Sequence, residues 1–236
     1  MISKEKLKGG SLSGTYLITT NENNKFIRKE VSLVENREYG FQRWYSQLKR
    51  IQRYSVLFPT IFPNLLDYGH EGDTAYFDIE YIENTTTAHK FLTTVSDNGA
   101  IYNFSNALIR TMDVIHKVKM TSSKDAILLY IREEVEKRLN DCLLDKDFYN
   151  FACYENIYFN GEKVPSFMKK LDDFKKSFFG YSDLTEVFTH GNLTLENILY
   201  SQEKNKIIFI DPYEENIIDS VLAEYSQIYQ SSNSKY

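Results

Sequence analysis

The sequence predicts an α+β protein in which a small antiparallel β lobe precedes a mainly helical lobe. Three observations predict it. Short strand-like segments and turn residues fill roughly the first eighty positions, helical periodicity takes over from about residue 86, and a last β-hairpin returns near residue 200. Residues 1–82 are accordingly assigned to the β lobe and 83–236 to the helical lobe.

The elements follow in order. Gly9-Gly10-Ser11-Leu12-Ser13-Gly14 is a turn-rich loop, followed by a short strand at 15–19, a polar turn at 21–24 and a returning strand at 25–33. A helix over 35–54 is predicted from Phe41, Tyr45, Leu48 and Ile51, which recur at helical spacing. Pro59 and Pro63 break the chain, and 64–69 with 74–82 form a hairpin around the turn at 70–73. Helices are predicted at 107–120, 124–143 and 166–179, with an irregular aromatic stretch at 145–164. A short strand at 186–189 leads into an unusual loop. Segments 197–200 and 206–210 pair as a hairpin across 201–205, and Asp219 caps a final helix reaching about residue 230.

Composition limits the function classes. Hydrophobic residues at 42% and charged residues at 26% are ordinary for a soluble globular chain. The 18 Tyr and 16 Phe are unusual and read as a bias of codon composition rather than as an aromatic ligand cage. A net charge of −5 and a pI near 5.5 argue against nucleic acid as the partner, since phosphate-backbone binding depends on a basic surface. Cys142 and Cys153 lack metal-ligand spacing and suit a reducing cytoplasm. The N-terminus has no signal-peptide core, and no apolar run approaches the roughly 20 residues of a membrane span. A cytoplasmic protein without a membrane span is expected.

The chemistry is concentrated in residues 189–212. A phosphoryl-transfer site needs an acid that orients the attacking hydroxyl, an Asn five residues later on a metal ion, and a further Asp on the metals. Asn197 and Asp211 stand where those ligands belong, one on each side of the predicted hairpin. Mg²⁺ favours such oxygen donors in near-octahedral geometry. The place of the acid is held by an amide, Asn192. The bland alternative is an ordinary hairpin with a capping Asn and a turn Asp-Pro; the order and spacing of the pieces weigh against it.

His190-Gly191-Asn192-Leu193, Asn197-Ile198-Leu199 and Ile210-Asp211-Pro212 together resemble the aminoglycoside phosphotransferase and choline kinase branch of the protein-kinase-like fold. Their wording is closest to bacterial members linked to capsule or surface-polysaccharide biosynthesis. The resemblance is carried by this stretch, more weakly by the first third, and not by 121–185. It implies a two-lobed protein-kinase-like fold, ATP and Mg²⁺ as cofactors, and phosphoryl transfer to the hydroxyl of a small molecule such as a sugar precursor. It also implies roles for residues elsewhere. Lys29 matches the phosphate-binding lysine, with its neighbour Arg28 turned to the other strand face. Glu38 would orient Lys29, with Glu35 as competitor. Backbone groups around Gly10, Ser11 and Ser13 would cradle phosphate. The carbonyl of Glu80 and the N–H of Ile82 would meet adenine at a hinge, and His190 would buttress the loop rather than move a proton. The chain ends sooner after Pro212 than the resemblance implies, so part of the helical lobe is expected either to be absent from this sequence or to be replaced by a partner or a second copy in a homodimer.

Asn192 admits three readings. It is an engineered substitution for Asp in an otherwise intact site, or it marks a natural pseudokinase or regulatory interaction module that binds nucleotide without transfer. In the third, the chain is an active variant whose base comes from elsewhere, such as Glu196. Loss of a general base typically costs about 10²–10⁴-fold in rate, so an amide there slows transfer without abolishing it.

Overall fold

The structure is a computed structural model that describes residues 3–7, 14–34, 39–120, 125–178, 185–213, 216 and 218–233. It is mixed α+β, with a small antiparallel sheet in the N-terminal part and helices after it. Backbone packing separates two compact units. The first comprises Met1–Val118, Phe188–Asn216 and Val221–Tyr236; the second comprises Lys119–Val187 and Ile217–Ser220.

In the first unit, strands β1 (Ser3–Lys6), β2 (Gly14–Thr19), β3 (Lys25–Ser32), β4 (Leu65–Glu71) and β5 (Thr74–Glu80) form one antiparallel sheet in the order β1-β2-β3-β5-β4. Strand alternation decides which side chains face inward. On β3, Ile27, Lys29 and Val31 share one face; on β5, Ala75, Phe77 and Ile79 do. Helix α1 (Tyr39–Leu57) packs there through Trp44, Leu48 and Ile51. Phe41 and Tyr45, expected on its buried face, are 38% and 46% exposed. Two aromatic stripes have helical spacing on α1, and the one containing Trp44 meets the sheet. β1 was not expected: its sequence Ser-Lys-Glu-Lys has no apolar alternation, and all four residues are exposed on an edge.

The rest of this unit holds β6 (Thr86–Thr87), α2 (Ala88–Thr94) and α3 (Asn98–His116), followed further along the chain by β9 (Ile198–Ser201), β10 (Lys206–Phe209) and, nearest the C-terminus, α8 (Val221–Asn233). β10, β9 and β6 form a three-stranded sheet. The expected hairpin forms, with Ile198 opposite Phe209, and Ser201, expected in the turn, pairs with Lys206. Helix α3 starts earlier than expected because Asp97 caps it, accepting from the N–H groups of Gly99 at 2.9 Å and Ala100 at 3.2 Å. Asp-Asn-Gly reads as a loop until that cap is seen. Phe58, Phe62, Phe188, Phe209 and Tyr54 are buried ring against ring around His190, which makes them core rather than a cage.

The second unit contains α4 (Ala126–Tyr130), which runs through a π-helical turn (Ile131–Glu136) into α5 (Lys137–Cys142). The Lys137 N–H reaches back to the carbonyl of Arg132, the signature of that wider turn. The stretch expected to be irregular instead forms α6 (Lys146–Cys153), capped by Asp145, and a hairpin of β7 (Asn156–Phe159) and β8 (Glu162–Pro165). Helix α7 (Phe167–Phe178) follows. The strand expected at 186–189 reduces to one bridge between Val187 and Lys119. No described helix is long and apolar enough to cross a membrane.

Candidate active site

Lys29 and Asp211, 182 positions apart, meet in the first unit. Lys29 is 8% exposed and lies opposite fully buried Phe77. Its face of β3 is the core face, which directs its ammonium inward; Arg28, on the other face, makes two 2.8 Å bonds to Asp78. Lys29 Nζ donates to Oδ1 of Asp211, and so does Nε2 of Gln47 from α1. The second contact of Gln47 Nε2 is the carbonyl of Pro212, at 3.4 Å. Burial alone pushes the Asp211 carboxyl upward, but the Lys29 charge and the bonds from Lys29 and Gln47 outweigh it and hold the group below its usual 3.8. Asp211 is therefore ionised at neutral pH. Its φ of +60° is the left-handed conformation that non-glycine residues rarely adopt.

Asp211 is tied to the preceding loop through the hairpin. The Ile210 N–H donates to the carbonyl of Asn197 at 3.0 Å, and Asn197 Nδ2 donates to the carbonyl of Asn192 at 2.8 Å. That bond fixes which way the amide of Asn197 faces and leaves its Oδ1 unbonded by any described residue. Asn192 is half-buried, and its side-chain amide bonds to no described residue. Glu196 is exposed.

His190 is completely buried. A carbonyl only accepts and an amide N–H only donates, so two contacts define the ring. Nε2 lies 2.7 Å from the carbonyl of Ile210, and the N–H of Asn192 donates to Nδ1 at 3.2 Å. This is a neutral imidazole protonated on Nε2. Burial pushes its pKa below the usual 6.5, against the pull of the Glu224 carboxyl. His190 is thus a brace between the two halves of the site. Gly191 has φ +81°, a conformation that strains any other residue, and a Cβ there would press on the side-chain amide of Asn216.

Two helices hold this loop with polar stripes, each at positions i, i+3 and i+7. From α1, Gln47 takes Asp211, Arg50 donates to the carbonyls of Tyr213 and Thr189, and Tyr54 donates to the carbonyl of Thr189 at 2.8 Å. From α8, Glu224 Oε1 accepts from the N–H groups of His190 and Gly191, and Gln227 accepts from Leu193 and donates to Gly191, both at 2.7 Å. Ser231 Oγ accepts from Leu195 at 3.2 Å. Behind Glu224, its Oε2 lies 2.7 Å from Nε2 of His116 on α3. The sequence reading found none of these seven residues. The i, i+3, i+7 spacing of polar residues beside each apolar stripe was the available signal.

Of the residues singled out from sequence, the structure brings together Lys29, His190, Asn192, Asn197 and Asp211. Glu80 donates its N–H to the carbonyl of Asn64 at 2.9 Å and holds the Asn64 amide with its carboxylate, while the carbonyl of Ile82 accepts from Thr85. Gly10, Ser11, Ser13, Glu35 and Glu38 lie outside the described residues. No cluster of three or more His, Cys, Asp or Glu suited to a metal occurs among the described residues. Asp211 with Asn197 nevertheless offers an ionised carboxylate and an amide oxygen, the hard donors that Mg²⁺ prefers when phosphates and water complete its shell. Neither a scan against protein-family models nor a search among curated proteins finds a match to this chain.

Proposed function

We propose that the chain is an ATP-dependent phosphotransferase of the protein-kinase-like fold, acting on a hydroxyl of a small molecule such as a sugar or surface-polysaccharide precursor. The observation that carries the reading is the meeting of Lys29 with Asp211, in a site where Asn197 bonds back to Asn192. A β-hairpin with an incidental Asp-Pro turn needs no buried lysine delivered to that Asp from another sheet.

Bound Mg·ATP would supply the phosphoryl group and neutralise charge as it transfers. The residues of the chain do the rest. Lys29 uses one of its three N–H groups on Asp211, which leaves two for phosphate oxygens. Asp211, held ionised, and Asn197 would hold the metal. The backbone of Glu80 and Ile82 would receive adenine. Asn192 presents an uncommitted amide that hydrogen-bonds and orients the acceptor hydroxyl but has no basicity to take its proton. His190, neutral and with both nitrogens engaged, keeps the loop in register with the Asp211 hairpin and transfers no proton.

The neutral Asn192 also favours a second reading, a nucleotide-binding pseudokinase or regulatory module without transfer. Two measurements test the readings, and the second separates them. Mg·ATP raises Tm in both, since a ligand at 100 times its Kd stabilises the folded state by about 2.7 kcal/mol. Asn192→Asp then raises phosphoryl transfer by about 10²–10⁴-fold only if the site is a slowed enzyme. Absence of any Tm shift at millimolar nucleotide overturns both, and turnover by Asn192→Asp without Mg²⁺ dependence overturns the mechanism.

A further inference from the structure

Helix α8 carries two stripes with the same spacing. Glu224, Gln227 and Ser231 hold the loop from His190 to Leu195. Leu222, Tyr225 and Tyr229 repeat the i, i+3, i+7 pattern two positions earlier, which is about 200° round a helix of 3.6 residues per turn. This second stripe faces water: Leu222 and Tyr229 are 66% and 69% exposed, and Tyr225 and the small Ser226 are exposed beside them. Glu224 is the one acidic or basic residue of α8, and it is buried, so the exposed face has no carboxylate, ammonium or guanidinium. Every other described helix of eight or more residues exposes at least one such group, as with Lys49, Arg110, Lys146 and Lys169.

We infer that this face docks a second copy of the chain, α8 against α8, antiparallel about a two-fold axis. The inference stands apart from the phosphotransferase reading. A solvated helix face ordinarily carries charged or polar residues. A stripe of Leu and two Tyr without charge has instead the composition of an interface centre, where aromatic residues are enriched and charged ones depleted.

The spacing selects the occupant. A two-fold contact brings one patch against itself, so the patch must complement its own reverse. Reversed about a point between Tyr225 and Ser226, the stripe sets Leu222 against Tyr229 of the second copy and the ring of Tyr225 over its Ser226, large against small. Charge agrees with this. Two chains of net charge −5 repel through most of their surfaces, and a face free of charge is where that repulsion is least. One helix face against another buries less than the roughly 1,200 Å² of a standard interface, so the dimer is a reversible one. It also lies back to back with the loop: the Tyr225 ring is 6.5 Å from that of His116, which meets Glu224.

The test is sedimentation velocity of the full chain over a rising series of concentrations. The wild type is expected to pass from monomer to dimer, with a Tm that rises as it does so. Leu222→Arg and Tyr229→Arg each remove one anchor and are expected to raise the dimer Kd about tenfold or more. The double variant Leu222→Arg, Tyr229→Glu sets opposite charges together at both ends of the antiparallel pair and is expected to dimerise again. Both positions are exposed, and circular dichroism checks that each variant folds. A wild type that stays monomeric throughout overturns the inference, as does a dimer that survives both Arg substitutions. A double variant that stays monomeric overturns the antiparallel pairing. A monomeric wild type that co-sediments with neutral phosphatidylcholine vesicles gives the face to a lipid surface and overturns the second copy.

Discussion

The stretch 189–213 and the segment Lys119–Val187 use their polar groups in opposite ways. In the first, backbone N–H and C=O groups are taken by buried side chains of two helices, down to Glu224 at 1% exposure. In the second, the i,i+4 pairs of Arg138 with Glu134 and Lys137 with Glu133 lie on the surface, and Tyr158 and Phe159 are 77% and 66% exposed. A buried bond whose partner is removed leaves an unsatisfied group, whereas an exposed pair is replaced by water. The loop is therefore fixed by many costly dependencies, and the second segment is tolerant of change.

The sharpest break of this contrast is Glu224→Ala. It strands the N–H groups of His190 and Gly191 and the ring of His116 together, and a broken buried pair typically costs about 3–5 kcal/mol. Urea denaturation is expected to show a loss of that order, with Glu224→Gln recovering part of it. Next is Gly191→Ala, where the left-handed backbone alone costs about 1–2 kcal/mol and the new methyl displaces Asn216. A lowered denaturation midpoint with an unchanged slope is the expected signature.

A third effect appears with pH. His190 is held neutral when folded, with its pKa depressed below the 6.5 at which the unfolded chain takes up a proton. The unfolded state thus binds the extra proton first, and this contribution to stability is present above pH 6.5 and is lost as pH falls below it. The slope approaches about 1.4 kcal/mol per pH unit at most. Denaturation at a series of pH values from 7.5 to 5 (roughly the window in which histidine titrates) is expected to show that slope, and His190→Gln to flatten it. The smallest effect belongs to Arg138→Ala in the second segment, expected to cost no more than about 0.5 kcal/mol because its pair is a solvated i,i+4 bridge. A loss as large as that of Gly191→Ala would erase the contrast.

These differences also explain what the sequence made legible. The hairpin 198–209 and the strands β2 to β5 were readable because alternation and turn residues are local signals. The grouping of His190, Asn192, Asn197 and Asp211 was readable because these residues lie within one short stretch whose hairpin brings its ends together. The face of α1 was legible only in part: Leu48 and Ile51 are buried as expected, but the sheet takes Trp44 rather than Phe41 and Tyr45 to complete the stripe. Helix α6 and the β7–β8 hairpin were hidden by aromatic residues that suit either state. The roles of Gln47 and Glu224 were out of reach for a further reason. A polar residue on a helix says nothing of its partner when that partner lies 164 residues further along, as with Gln47 and Asp211, or 33 residues back, as with Glu224 and Gly191.

Trp44 is the single tryptophan of the chain. Its ring is buried 6.3 Å from that of Phe77, the cross-strand neighbour of Lys29, and its Nε1 has no hydrogen-bond partner among the described residues. It also stands one turn before Gln47 on α1. The molecule therefore carries its own fluorophore at the joint between the strand that delivers the lysine and the helix that delivers the amide. An indole in so dry a place emits toward the blue, and a displacement of either element changes its surroundings. Movement of that strand against that helix can thus be followed by light from one ring, with no label attached.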